Sequence, residues 1–144
     1  MKLLLKGILT LFLTHLGSFA FAQEQITNYQ LSSDQDITDK LVYVYGNEFL
    51  AQNPDLITVY GKILSERVEY IATPHTSDEK YPHLSSVPLM TKNNPTIQGA
   101  DFSNFTISTF NPLVYQIDYF SDKTLVYRID DTDYILVVRP IKRN

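Results

Sequence analysis

Cysteine and tryptophan are both absent from this 144-residue chain. Without cysteine there is no disulfide framework, no thiolate nucleophile, no cysteine-ligated metal centre and no lipid-attachment cysteine of the bacterial lipoprotein kind. Small extracellular proteins of complex hosts usually carry disulfides, so an exported chain that lacks them fits bacterial export better. The missing tryptophan argues against a lectin-like stacking platform. Glycine is scarce too: beyond residue 22 only Gly46, Gly61 and Gly99 remain, which leaves no phosphate-cradling glycine loop. Twelve basic residues face sixteen acidic ones with no basic stripe set against them, so no nucleic-acid partner is expected. After the first segment, no apolar run reaches the ~20 residues that a bilayer crossing needs.

What is present begins with location. Lys2 and Lys6 open the chain, an apolar stretch follows from Gly7 to Leu16, and Ala20 and Ala22 form an A-x-A site before Gln23. A basic start, an apolar centre and a small-residue exit together predict a secretory signal peptide over 1–22. Its removal leaves 23–144 as a single domain with ten basic and sixteen acidic groups. A chain of this length buries enough of its surface to fold without cross-links. The expected product is exported, periplasmic or extracellular, with no membrane span once the signal is gone. Asn104-Phe105-Thr106 spells an N-glycosylation sequon, which is expected to stay idle in a bacterial product.

Residues 23–33 are polar and read as a loose lead-in. From Ser33 onward, Ile37, Leu41, Val44, Tyr45 and Phe49 recur at spacings of three and four, which predicts a helix. The β-branched and aromatic run from Leu41 to Tyr45, and Gly46 directly after it, weaken that helix. Asn53 then reads as an N-cap with Pro54 at the first helical position. Leu56, Tyr60, Ile63, Leu64, Arg67 and Ile71 form one stripe of a second helix that ends at Pro74. Two helices joined so tightly make an αα-hairpin.

Five prolines between 74 and 112 exclude a long helix or a central strand there. Apolar residues such as Leu84, Leu89, Ile97, Phe105 and Phe110 predict instead an ordered strap laid over the core, with an edge strand over 105–110. Alternation then predicts strands over 113–120 and 124–130, and the wholly apolar run Tyr134 to Val138 a strand covered on both faces. Hairpin turns are expected at Ser121 to Lys123 and at Asp131-Thr132. The fold class is therefore α+β: an N-terminal αα-hairpin packed on a C-terminal three- to four-stranded antiparallel meander, with a long ordered proline-rich connection.

Few residues invite chemistry. The run from His75 to His83 holds two of the three histidines, with Asp78 and Glu79 between them. Those four are the candidate metal ligands, yet the histidines lie eight apart on a proline-flanked loop, without the H-E-x-x-H spacing of a zinc helix. A surface bend is the better reading. Asp130 to Asp133 lacks the glycine and glutamate of a calcium loop and reads as a turn. Ser85 and Ser86 are near His83 in sequence, but G-x-S-x-G is absent. No catalytic residue, no cofactor and no cofactor-binding residue is expected. Most of the ten tyrosines fall on predicted stripes or strand faces and read as core.

The stretches from Asn53 to Ile71, Glu79 to Leu89, Thr109 to Ser121 and Val126 to Val138 together resemble small exported proteins of unassigned function from Bacteroidota, of the flavobacterial type. The resemblance implies a Gram-negative envelope setting. It carries no activity and no functional residues. The expected function is binding of another macromolecule, a protein or envelope partner, with the strap as the presented surface. The alternative is a small metal-assisted hydrolase that uses His75, Asp78, Glu79 or His83.

Overall fold

The computed structural model describes residues 26–28, 34–73 and 80–141, the first three by backbone alone. The signal segment 1–22, with His75, Asp78 and Glu79, lies outside the described residues.

Helix α1, Asp34–Tyr45, begins on Asp34 and Asp36 at the positive end of its dipole. It buries Ile37, Leu41 and Val44 on one face, together with Lys40. Lys40 is accommodated because Asp36, one turn earlier, meets its ammonium at 2.9 Å. The single long helix expected here is interrupted at Gly46, whose φ of 81° suits glycine alone. Helix α2, Asn47–Gln52, resumes as a short separate turn that buries only Leu50. Helix α3, Asp55–Arg67, follows immediately. Asn53 does not cap it as predicted: its amide donates back to the Phe49 carbonyl at 2.9 Å, and Pro54 takes the cap position. The expected αα-hairpin is thus present, with a broken first arm. Gly61 lets α3 approach α1 closely, since a Cβ there would stand 3.0 Å from Ile37 Cδ1.

The second helix stops earlier than its stripe suggested. At Val68 the backbone turns extended, and strand β2, Val68–Ala72, leaves α3 with no intervening loop. Two β-branched residues and a tyrosine favour strand geometry there, and both edges of the segment find partners. Strand β1, Ile26–Asn28, pairs on one side, so part of the polar lead-in is an edge strand. Strand β4, Tyr134–Val138, pairs on the other, and β3, Leu125–Arg128, closes the sheet. The sheet is antiparallel in the order β1-β2-β4-β3. It is four-stranded as expected, but it draws two strands from the first half of the chain and is not a C-terminal meander. Register places Val68 opposite Val138 and Tyr70 opposite Leu136, all four buried in the core. Ile135 and Val137 are buried as well, in keeping with a strand covered on both faces.

The described part of the strap is ordered without regular secondary structure beyond three 3-10 turns, Leu84–Ser86, Phe102–Asn104 and Pro112–Val114. Leu84, Ile97 and Phe110 are its fully buried anchors, while Leu89 and Phe105 are only partly covered. Backbone bonds fasten it: Met90 N–H to the Val114 carbonyl, and Gln116 N–H to the Pro88 carbonyl, each at 2.8 Å. Asn111 donates to the Lys40 carbonyl at 3.1 Å and so ties the strap's end to α1. Two predicted strands do not form. Residues 105–110 make a turn, with Phe110 N–H bonded to the Thr106 carbonyl. Residues 115–120 keep the predicted alternation of burial, while Val114 is buried like its neighbours, and 113–120 have no ladder partner among the described residues beyond one bridge, Leu89 to Tyr115. Ile117 and Tyr119 instead bond back two residues, the γ-turn pattern.

Candidate functional site

Of the four predicted metal candidates, only His83 falls among the described residues, and it joins a cluster that sequence proximity hid. The β3–β4 hairpin delivers Asp130 to the start of the strap. Its carboxylate takes the His83 Nδ1–H at 3.1 Å, the Ser85 hydroxyl at 2.6 Å and the Ser85 backbone N–H at 2.9 Å. Just before it in β3, buried Arg128 holds the neighbouring chain, Nη1 to the Thr73 carbonyl and backbone N–H to that of Pro82.

With Asp130 on Nδ1, His83 Nε2 is the ring nitrogen that makes no hydrogen bond among the described residues. The Ser85 hydrogen goes to Asp130 and not to the imidazole, so these three residues are not wired as a nucleophile, base and orienting acid. They act as a clasp between the hairpin and the first 3-10 turn. Among the described residues no group of three or more His, Asp or Glu side chains converges on a point that could hold a metal. The turn reading of Asp130 to Asp133 is correct. Asp131 takes φ 54°, a left-handed value that Asp tolerates, and Thr132 bonds to the Ile129 carbonyl.

Partial burial raises the Asp130 pKa, but the Ser85 side-chain and backbone bonds and the His83 charge outweigh it. The net effect holds the carboxyl below the ordinary aspartate value. A depressed folded-state pKa contributes stability above the unfolded value of about 3.9, and that contribution is lost as pH falls through the lower one. Asp130→Ala is accordingly expected to cost about 1 kcal/mol at neutral pH and to show a shallower loss of stability in acid. Urea melts of both proteins from neutrality down to pH 3 check the prediction. Parallel pH profiles would show that Asp130 carries no such term.

A second constellation was not foreseen. Four aromatic rings form a ladder across the helix hairpin. Phe49 of α2 stacks on Tyr45 of α1 at 5.4 Å between centroids, Tyr45 meets Tyr60 of α3 at 6.1 Å, and Tyr60 meets Phe120 edge-on at 6.3 Å. Beneath it Tyr119 packs edge-on against Tyr60 at 6.2 Å and donates to the Pro112 carbonyl. The Tyr45 and Tyr60 hydroxyls bond to each other at 3.0 Å. Burial, reinforced by that bond, pushes the Tyr45 phenol well above its ordinary value, so it is a neutral hydrogen-bonding group at any physiological pH. The two ends of the ladder are open: Phe49 is 40% and Phe120 55% exposed.

By spacing Phe49 belongs to the α1 stripe, and it escapes that stripe because Gly46 re-aims the chain before α2. Phe120 follows buried Tyr119 on the outward beat of the alternation. Tyr43 of α1, also exposed, lies on another side of the helix and walls a groove of about 300 Å³ against the strap. No family model, no curated protein and no solved structure matches this chain.

Proposed function

We infer that the protein is an exported, non-catalytic envelope or periplasmic protein that acts by binding another macromolecule. The leader read over 1–22 supports export. No helix among the described residues is long and apolar enough to cross a membrane. The observation that carries the binding role is the ladder from Phe49 to Phe120. Single exposed apolar side chains are ordinary, but here two open phenyl rings are joined through a hydrogen-bonded tyrosine pair into one row of ring contacts. Aromatic side chains of this kind supply wide contact area at little entropic cost and dominate interface energetics. The strap's part in this reading is support, since its buried anchors hold the scaffold while the ladder is presented to solvent.

Each phenyl ring gives up one aromatic pair, so the double variant Phe49→Ala/Phe120→Ala is expected to cost about 1–3 kcal/mol and to stay folded. It is expected to abolish recovery of a reproducible partner from envelope extract. If the variant recovers the same partner with the same yield as wild type, the ladder is not the binding face.

One observation favours the hydrolase alternative: Asp130 orients His83 as an outer carboxylate orients a metal-bound imidazole. Metal analysis of the purified protein and of His75→Ala/His83→Ala separates the two readings. Stoichiometric zinc that vanishes in the variant would support the hydrolase, whereas a metal content indifferent to the substitutions supports binding alone.

A further inference from the structure

The groove between α1 and the strap is separate from the aromatic ladder. Tyr43 and Tyr45 are two residues apart on α1 and so project about 200° from each other around the helix axis. The groove is small, about 300 Å³, near the lower bound for small-molecule sites. Its apolar side is made by Phe105 and Phe110, whose ring centroids lie 5.3 Å apart. Its polar side consists of groups that both give and take hydrogen bonds.

Tyr43 accepts the Gln98 N–H at 3.4 Å, which leaves the phenol hydrogen to donate. The Gln98 side-chain amide is exposed and enters no hydrogen bond among the described residues. Asn104 commits its nitrogen to Asp101 at 2.9 Å, so its oxygen remains an acceptor. Asp101 accepts the Ser103 N–H and hydroxyl on Oδ1 and the Asn104 amide on Oδ2, which leaves Oδ2 room for one more donor. These internal bonds hold the acceptors in place before any ligand arrives, which lowers the ordering cost of binding. Among the described residues no Lys, Arg or His lines the groove, and one carboxylate does, so an anion is disfavoured there by charge.

We propose that this groove binds a neutral sugar ring, with its C–H face against Phe105 and its hydroxyls bonded by Tyr43, Gln98, Asp101 and Asn104. Adjacent hydroxyls each offer one donor and two acceptor sites, which matches paired amide and carboxylate groups. The missing tryptophan rules out only a flat open platform, and a walled groove does not need one. The proposal stands independently of the ladder.

Saturation-transfer NMR on the full mature chain tests it, with neutral hexoses and pentoses, their disaccharides, glucuronate and sorbitol as probes. Saturation transfer is expected to at least one neutral sugar, to neither glucuronate nor sorbitol, and to be stronger for the disaccharide if the natural source is a glycan chain. Gln98→Ala loses no side-chain hydrogen bond among the described residues, and it should weaken that binding about fivefold with an unchanged melting temperature. Phe105→Leu should weaken it further, and Phe49→Ala/Phe120→Ala should leave it unchanged. Absence of transfer from every neutral sugar would overturn the proposal. So would equal binding of glucuronate, or affinity indifferent to Gln98→Ala.

Discussion

Phe110→Ala is expected to lower stability by about 3–5 kcal/mol, the range for truncating a buried phenylalanine. Phe110 is almost wholly buried, and its ring is where the strap meets the sheet. Tyr70 of β2 packs edge-on against it at 6.0 Å, Phe105 at 5.3 Å and Tyr115 at 6.3 Å. Removing the ring leaves a void among three aromatic side chains that backbone bonds hold in place, so the site collapses poorly. For a chain of this size the melting temperature should fall by roughly 10–15 °C. Phe105→Ala is the internal control. It keeps a contact with Tyr134 of β4 at 5.9 Å but is only partly buried, and it should cost less than half as much. Chemical denaturation of both variants checks the ordering. Equal costs would mean that Phe110 does not anchor the strap.

Leu84→Ala should be nearly as damaging, by about 2–5 kcal/mol. Leu84 is fully buried at the other end of the described strap, in the first 3-10 turn. The same turn is clasped from outside by Asp130 through Ser85. The two restraints differ in kind: the leucine contributes by burial, and the clasp by charge-assisted hydrogen bonds. Because they act on one turn of three residues, they are expected to couple, and the double variant Leu84→Ala/Asp130→Ala should cost less than the sum of the single variants. A double-mutant cycle by urea denaturation measures the difference. Strict additivity would show the clasp to be independent of the turn it touches.

Much of the fold could be read from residue order because the signals were local. The period of α1, the joint at Asn53-Pro54 and the apolar run of β4 each depend on a few neighbouring residues. The failures have a common cause in pairing, which is not local. Residues 115–120 alternate in burial as a strand would, yet alternation reports one-sided burial of an extended chain and says nothing of a hydrogen-bonded neighbour. Val68 to Ala72 continued the α3 stripe in sequence, but β1 and β4 offer that segment two ladders at once, and pairing overrides periodicity.

The candidate sites follow the same division. His83 was visible in the sequence, but its partner Asp130 is 47 residues away, and nothing in either neighbourhood links them. The ladder was hidden because Tyr45, Phe49 and Tyr60 each fit a core stripe, and only the backbone turn at Gly46 puts Phe49 outside. For the strap, apolar content was read correctly as burial. Its anchors Leu84, Ile97 and Phe110 could not be told from Leu89 and Phe105 by residue type alone.

In the proposed function, the exposed ends of the aromatic ladder are the binding face. Site-specific photo-cross-linking in intact cells tests it most directly. A benzophenone-bearing phenylalanine analogue is placed at Phe49 or Phe120, and at the exposed controls Glu66 and Lys92. The same discrete cross-linked product is expected from positions 49 and 120, and none from the controls. Products of equal yield from all four positions, or products from the controls alone, would contradict it.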